Sequence, residues 1–430
     1  MTKMIGENNS MNMGAIKNAL KDELESNELL FPVYKKWQSS KEKPGFVNSA
    51  LRAYSFEAEE GEKLRINLIL PTLRKTKIFG GAATAIQFMQ LIRAKLKADA
   101  RIIVLQNELA DSRWEYHVKG FSVKNKDKNI CMLARQGKLS VRKNDVFIFT
   151  NWVTACSLMP VLEWQNNAFH EAGYRGVYFI QDYEPGFYPW SSEYALAEST
   201  YRKYADSLIA VFNSLQLHTF FQNEGYRFRQ EFCFTPALNS DLKAYLDATK
   251  NEKTRKKQIL IYGRKREPRN AFELIRAALD EWSALCPDAA EWTILSLGEG
   301  FDDIPLKNNT IKVRGKVSLD EYARLMSESY AGISLMVSPH PSYPPLEMST
   351  FGVRTITNCY KNKDLAGFNE NIISLKEYDP ATIAAVLSDL CSAYSGYESK
   401  RDVNPTYYDN DSMRACALGV SKLLCPGSSV

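Results

Sequence analysis

The rhythm of apolar runs constrains this chain more than any other feature of it. From Leu64 onward, runs of strand length alternate with longer stretches whose apolar residues recur at helical spacing. Residues 65–71 form the first run, suited to a strand buried on both faces. Residues 82–97 follow with Phe88, Ile92 and Leu96 on one helical face, and 101–105 reads as the next strand. Further strands are expected at 145–150, 176–181 and 207–212, the last followed by a helix over 214–224 capped by Ser214. Strand, helix and strand at this spacing specify a doubly wound α/β domain.

The rhythm then restarts. A charged stretch at 250–257 reads as a solvated linker, with a hinge expected across 236–257. Strands are expected at 258–262, 292–297, 310–313 and 330–337. Between them lie a helix over 270–285, with Phe272, Ile275, Leu279 and Trp282 on one face, and a helix over 318–329 opened by the capping box Ser318-Leu319-Asp320-Glu321. A short helix over 344–352 ends at Gly352, and Asp379-Pro380 supplies the cap and first-turn proline of a helix reaching Tyr394. The expected architecture is α/β, with two Rossmann-like doubly wound domains over 61–245 and 246–400 facing a cleft. A helical appendage is expected over 1–60 and a closing helix within 401–430. The length of 430 residues suits two such cores.

Composition removes several function classes. Lys and Arg number 55 against 50 Asp and Glu, a net charge of +5, too mild for a dedicated nucleic-acid binder. Eight scattered cysteines form no Cys-x-x-Cys pair and the four histidines are dispersed, so neither a metal centre nor a disulfide framework is expected. The first residues hold no apolar run that fits a secretory signal, and no stretch is long enough to span a bilayer. A cytoplasmic location is therefore expected.

Four places at the ends of expected strands carry residues suited to chemistry. Gly80-Gly81 lets the backbone approach a ligand and opens a helix whose free N–H groups favour an anion, although a plain tight turn fits the same residues. Arg264, Lys265, Arg266 and Arg269 surround a strand end just before a helix, where cations and helix N–H groups converge on one point, as a diphosphate requires. In Ser338-Pro339-His340-Pro341-Ser342-Tyr343-Pro344-Pro345-Leu346-Glu347-Met348 the prolines stiffen a strand-to-helix loop, and Glu347 falls about one turn inside the helix. Asp182 and Glu184 follow the run 176–180; they fit a sugar hydroxyl, a general base, a weak divalent site or a capped turn. The aromatic run Phe187-Tyr188-Pro189-Trp190 suits stacking on a carbohydrate ring or plain packing.

Tandem α/β domains, Gly80-Gly81, Gly263-Arg264 with Arg269, and Pro344-Pro345-Leu346-Glu347-Met348 before Phe351-Gly352 resemble the GT-B glycosyltransferases, in particular the retaining family-4-like enzymes. The stretches 178–185 and 338–348 are similar to bacterial rhamnosyltransferases of the S-layer-glycan and rhamnan type. The resemblance implies that Arg264 and Arg269 contact the donor diphosphate and that Lys316 builds part of the nucleotide pocket. It places Gly80 and Gly81 opposite the donor phosphate, Tyr343 in the loop over the diphosphate, and Ser338, Pro344 and Leu346 along the same donor site. Glu347 would hold the ribose hydroxyls, and Asp182 would orient or deprotonate the acceptor hydroxyl while Arg264 stabilises the leaving group.

No metal or cofactor is implied beyond the nucleotide-sugar donor as substrate. The closing helix near 407–424 is expected to return to the first domain. One departure is plain: Pro339 stands where the family's first glutamate of E-x7-E belongs. The expected function is transfer of L-rhamnose from dTDP-L-rhamnose onto a cell-surface glycan (O-antigen, capsule or S-layer glycan). A UDP- or GDP-hexose donor, or a non-catalytic nucleotide-sugar-binding subunit, are the alternatives. The expected partners are the donor and a glycan or lipid-linked acceptor, with no nucleic acid. The basic segment 35–43 adds an expectation of peripheral membrane contact.

Overall fold

The computed structural model describes residues 51–72, 80–105, 115–118, 121–124, 130–133, 137–170, 175–249, 254–396 and 401–425. The first sheet has seven strands in the order Gln230–Cys233, Leu208–Phe212, Gly176–Ile180, Asp145–Phe149, Arg65–Leu70, Asp99–Val104 and Ile130–Met132. Every pairing in it is parallel. Strands such as Arg65–Leu70 and Leu208–Phe212 are buried at every position, because helices cover both faces, and this is why they read as largely apolar runs rather than as an alternating pattern. One face packs against the helix Gly80–Leu96 through Phe88, Met89 and Ile92. The other packs against Leu158, Val161, Phe220 and Phe221.

The second sheet also has seven strands: Ile304–Pro305, Thr310–Gly315, Thr293–Gly298, Lys256–Gly263, Ser329–Ile333, Arg354–Asn358 and Ile372–Leu375. All neighbours are parallel except the short first strand. Strand order reverses beside Lys256–Gly263, where the chain leaves for Thr293–Gly298 on one side and later returns as Ser329–Ile333 on the other. A reversal of this kind opens a crevice at the carboxyl ends of the flanking strands.

Several expectations are corrected by the packing. Of the expected appendage, residues 1–50, including the basic segment 35–43, lie outside the described residues. The described part contains a strand, Ser55–Ala58, paired in parallel with Lys138–Val141. Its two-residue alternation sets Phe56 against the Trp164 ring at 5.8 Å, while Glu57 pairs with Lys138. Within the expected linker, 250–253 lie outside the described residues, and Arg255 is buried rather than solvated. Its guanidinium donates to the carbonyls of Met326 (2.7 Å), Ser329 (3.2 Å) and Phe351. The strand expected over 330–337 stops at Ile333, since the Asn358 side chain takes the Met336 N–H at 2.7 Å and ends the ladder. Ser318 caps its helix as expected, but the Glu321 carboxylate pairs with Arg314.

The segment expected as one helix over 407–424 is two, Pro405–Tyr408 and Ser412–Leu424. The second lies on the helix Gly80–Leu96, and its Cys416, Val420 and Leu424 complete the core of the first sheet. Gly419 lets the same helix lie close to the edge strand Gln230–Cys233, because a Cβ there would lie 2.5 Å from the Phe232 ring.

At the opposite, amino end of the first sheet sits a buried ionic knot. Asp145 is fully buried and accepts from Arg65 Nε and Nη2, both at 2.7 Å, with Arg101 at 3.5 Å. Removing its charge strips the buried Arg65 of its bidentate partner, leaving it only the partly exposed Glu59 at 3.0 Å, and takes the nearest carboxylate from Arg101. Asp145→Ala is expected to lower the unfolding free energy by about 3–5 kcal/mol, read as a shift of the urea midpoint.

Candidate functional site

The basic turn after Lys256–Gly263 resolves into two inward and two outward cations. Gly263 packs so tightly that a Cβ would meet Ser296 Oγ at 2.3 Å and the Phe272 ring at 2.9 Å. The chain then bends sharply, with Glu267 N–H donating to the Arg264 carbonyl at 3.0 Å, and one turn, Pro268–Asn270, precedes the helix Phe272–Leu285. Lys265 and Arg266 are exposed, and Arg266 pairs with Glu299 at 3.3 Å. Arg264 and Arg269 converge instead on Glu267: Arg264 Nη2 lies 3.0 Å from Oε1, and Arg269 Nη1 lies 3.0 Å from Oε2.

Arg269 also reaches the other sheet. Its Nε lies 3.7 Å from Asp182 Oδ2, and its guanidinium sits 4.1 Å above the centre of the Phe187 ring. Asp182 follows the strand Gly176–Ile180 and is buried. Its Oδ1 accepts from its neighbour's Tyr183 N–H at 2.9 Å and from Ser338 Oγ, which belongs to the loop after Ser329–Ile333. Thus Asp182, Ser338 and Arg269, three residues singled out in the sequence, meet where the carboxyl ends of the two sheets come together. Gly81 joins them from the first turn of Gly80–Leu96, where a Cβ would lie 2.8 Å from Gln181 Oε1. Gly80 is exposed, with nothing among the described residues within 4 Å of its missing side chain.

The proline loop is held rigidly. Ser342 adopts a left-handed φ of 68°, a costly conformation for a residue with a side chain, and its N–H donates to His340 Nδ1 at 3.0 Å. His340 is buried, and burial lowers its pKa to about 4, so the ring is neutral and its Nε2 has no hydrogen-bond partner among the described residues. Beside it lies Lys363, which the sequence reading passed over. It is buried, donates to the Met336 carbonyl at 2.5 Å, and burial brings its pKa down to about 8 against the pull of Asp182.

Glu347 sits in the helix Tyr343–Thr350 near Tyr262, Tyr322, Tyr343 and Tyr407. Desolvation in this aromatic surround raises its pKa to about 7. The Tyr322 hydroxyl is buried beside the Glu347 carboxyl, and the Tyr407 hydroxyl is buried with no hydrogen bond among the described residues. Of its neighbours, Tyr343 and Pro344 are half-buried at the helix start, whereas the Leu346 side chain faces inward and packs in the core with Leu260, Met348 and Phe351. Lys316 is exposed one residue beyond Thr310–Gly315, two strands away from the chain's Arg264 turn.

Glu184 and Glu267 were the less legible acids. Glu184 accepts from the Trp152 N–H at the start of the helix Trp152–Leu158, and burial lifts its pKa to about 8. Glu267 looks in sequence like one more charge in a solvated run. Among the described residues no three His, Cys, Asp or Glu side chains are placed to hold a metal ion, and no helix is long and apolar enough to cross a membrane.

This arrangement, two convergent cations at a strand-order reversal with a carboxyl and aromatic rings beside them, can hold a diphosphate and a polyhydroxyl group side by side. Residues 65–215 match the N-terminal domain of WsaF, and residues 257–388 match the WsaF C-terminal domain. The chain belongs to the WsaF family. A relative, the O-antigen biosynthesis protein RfbC of Myxococcus xanthus, is 31% identical over 249 residues, 55% of this chain and 18% of that protein's own length. Among solved structures, the WsaF-family chain resembles sucrose-phosphate synthase from Thermosynechococcus elongatus (TM-score 0.54, 12% identity, 85% of this chain and 100% of that one). It also resembles WaaG, a glycosyltransferase involved in lipopolysaccharide biosynthesis (TM-score 0.51, 12% identity, 84% and 100%). The fold is GT-B.

Glu347 and Glu184 give this family member a signed pH dependence. Both hold protons in the folded state that an unfolded carboxyl, with a pKa of about 4.3, has already lost. Stability therefore falls as pH rises from about 5 to 8. Glu347→Gln should match the parent near pH 5 and exceed it at pH 8 by on the order of 1–2 kcal/mol in denaturant unfolding.

Proposed function

We infer that the chain is a glycosyltransferase that moves a sugar from a nucleoside diphosphate onto a growing cell-surface glycan. The observation that carries this is the convergence of Arg264 and Arg269 at the strand-order reversal, with Asp182 reaching the same point from the other sheet. Membership of the WsaF family, the GT-B fold and the O-antigen name of the Myxococcus relative support the same reading.

In the proposed reaction Arg264 and Arg269, with Lys316, neutralise the departing diphosphate, so that the bond to the sugar breaks without a metal. Gly80 and Gly81 face the phosphates from the first sheet, and Tyr343 and Pro344 cover them from the second. Glu347 takes the ribose hydroxyls; a pKa near 7 lets its carboxyl accept or donate there. Asp182 orients or deprotonates the acceptor hydroxyl, which takes the place that Ser338 Oγ occupies on it. L-Rhamnose from dTDP-L-rhamnose is the proposed donor, favoured by the similarity of 178–185 and 338–348 to rhamnosyltransferases. Catalysis is proposed on the cytoplasmic side, near a lipid-linked acceptor.

Pro339 favours a second reading, a nucleotide-sugar-binding subunit without turnover, since it removes a glutamate from the sugar's side of the site. Thermal unfolding in the presence of dTDP, UDP, GDP and their sugar conjugates separates these. A ligand at a hundred times its Kd adds about 2.7 kcal/mol of native-state stability. The largest shift is expected with dTDP species, and sugar release from dTDP-L-rhamnose is expected to fall about a hundredfold or more in Arg264→Ala. Binding without any turnover supports the subunit reading, a larger shift with UDP or GDP changes the donor, and turnover unaffected by Arg264→Ala removes the diphosphate assignment.

A further inference from the structure

Arg264 and Arg269 already share an anion that belongs to the chain. Each oxygen of the Glu267 carboxylate meets one of them at 3.0 Å, so a single negative charge spans the two guanidiniums as a diphosphate would. We propose that Glu267 is an internal competitor for the diphosphate site: it bridges the two arginines when no diphosphate is present, gives them up on binding, and returns to help expel the nucleoside diphosphate product. This rests on the diphosphate reading of Arg264 and Arg269 given above.

Three features of the turn make the exchange feasible. The backbone of Glu267 is fixed, since its N–H donates to the Arg264 carbonyl at 3.0 Å, its carbonyl accepts from Asn270 N–H at 2.9 Å, and Pro268 follows. Exchange therefore needs only side-chain rotation, and the Glu267 side chain is 32% exposed, with solvent to turn into. Arg269 is meanwhile held from the far side by Asp182 at 3.7 Å and by the Phe187 ring at 4.1 Å, so it stays in place when Glu267 leaves. The pairing itself is of the partly exposed kind, in which each contact shifts an equilibrium only a few-fold. A diphosphate carries more than one negative charge and more acceptor oxygens, and so displaces a lone carboxylate.

The consequence is an affinity held below what the two arginines alone would give. A tightly held product slows turnover where release is the slow step, and a tethered anion at the same cations opposes that.

The test is titration of inorganic pyrophosphate into the full chain by calorimetry, for the parent, Glu267→Gln, Arg264→Ala and the double variant. Glu267→Gln keeps the side chain's shape and removes its charge. It is expected to bind pyrophosphate about tenfold more tightly, with a steeper loss of affinity on adding salt, because the two guanidiniums lose the negative charge they share. In the Arg264→Ala background the same substitution should yield little of that gain. Circular dichroism and melting temperature check that each variant is folded. Equal or weaker binding by Glu267→Gln overturns the proposal and makes Glu267 a group that orients the arginines. If Arg264→Ala weakens pyrophosphate binding while Glu267→Gln fails to strengthen it, only this inference fails. If the parent binds none, or Arg264→Ala changes nothing, the diphosphate reading fails with it.

Discussion

Asp182 is a buried carboxylate at the seam between two sheets, and burying that charge requires partners from both sides. From its own sheet it takes only the Tyr183 N–H; from the other it takes Ser338 Oγ and the approach of Arg269. Lys363, itself nearly sealed from solvent, adds a second cation whose field reaches Asp182. The position of Arg269 is thus set jointly by Asp182, Phe187 and Glu267, and the cation pair inherits its geometry from the contact between the sheets. His340, neutral and enclosed, braces the same loop by accepting the Ser342 N–H. The proline loop, the basic turn and the end of Gly176–Ile180 therefore form one mechanical unit rather than three separate ligand loops.

Much of the fold was legible because parallel strands covered on both faces leave an unbroken apolar signature. Gly176–Ile180 and Leu208–Phe212 carry it, and Arg65–Leu70 and Asp145–Phe149 carry it apart from Arg65, Asn67 and Asp145 near their amino ends. Strands toward the edges do not. Gln230–Cys233 and Arg354–Asn358 are partly polar, and their places depend on neighbours far away in the sequence. Arg255 shows the opposite failure: it sits in a run that composition reads as solvent-facing, yet three carbonyls from distant segments enclose its guanidinium.

The site divides in the same way. Arg264, Arg269, Asp182 and Ser338, which the structure brings together, stand out in the sequence because each lies between an apolar run and a following helix, where ligands of α/β folds gather. Glu267 and Lys363 were not, since a charged residue within a charged or polar stretch gives no sign of which way it turns. The side chains of Leu346 and Glu347 are separated by about 100° around their helix, so Glu347 lies near tyrosines while Leu346 packs in the core. The pattern of a motif fixes which backbone approaches a ligand, not which side chain does.

The helix Ser412–Leu424 carries a temporal consequence. It fills the face of Gly80–Leu96 with Cys416, Val420 and Leu424, so the first sheet's core contains residues made after the whole second sheet. At a ribosomal rate of ~10 residues per second, roughly half a minute separates the emergence of the two helices. During that interval the surface that later receives Cys416, Val420 and Leu424 has no permanent cover, and the nascent half-protein is open to chaperones or to premature association. Completion of the first domain then reports that the second has been synthesised, which ties the maturation of both halves to a single late event.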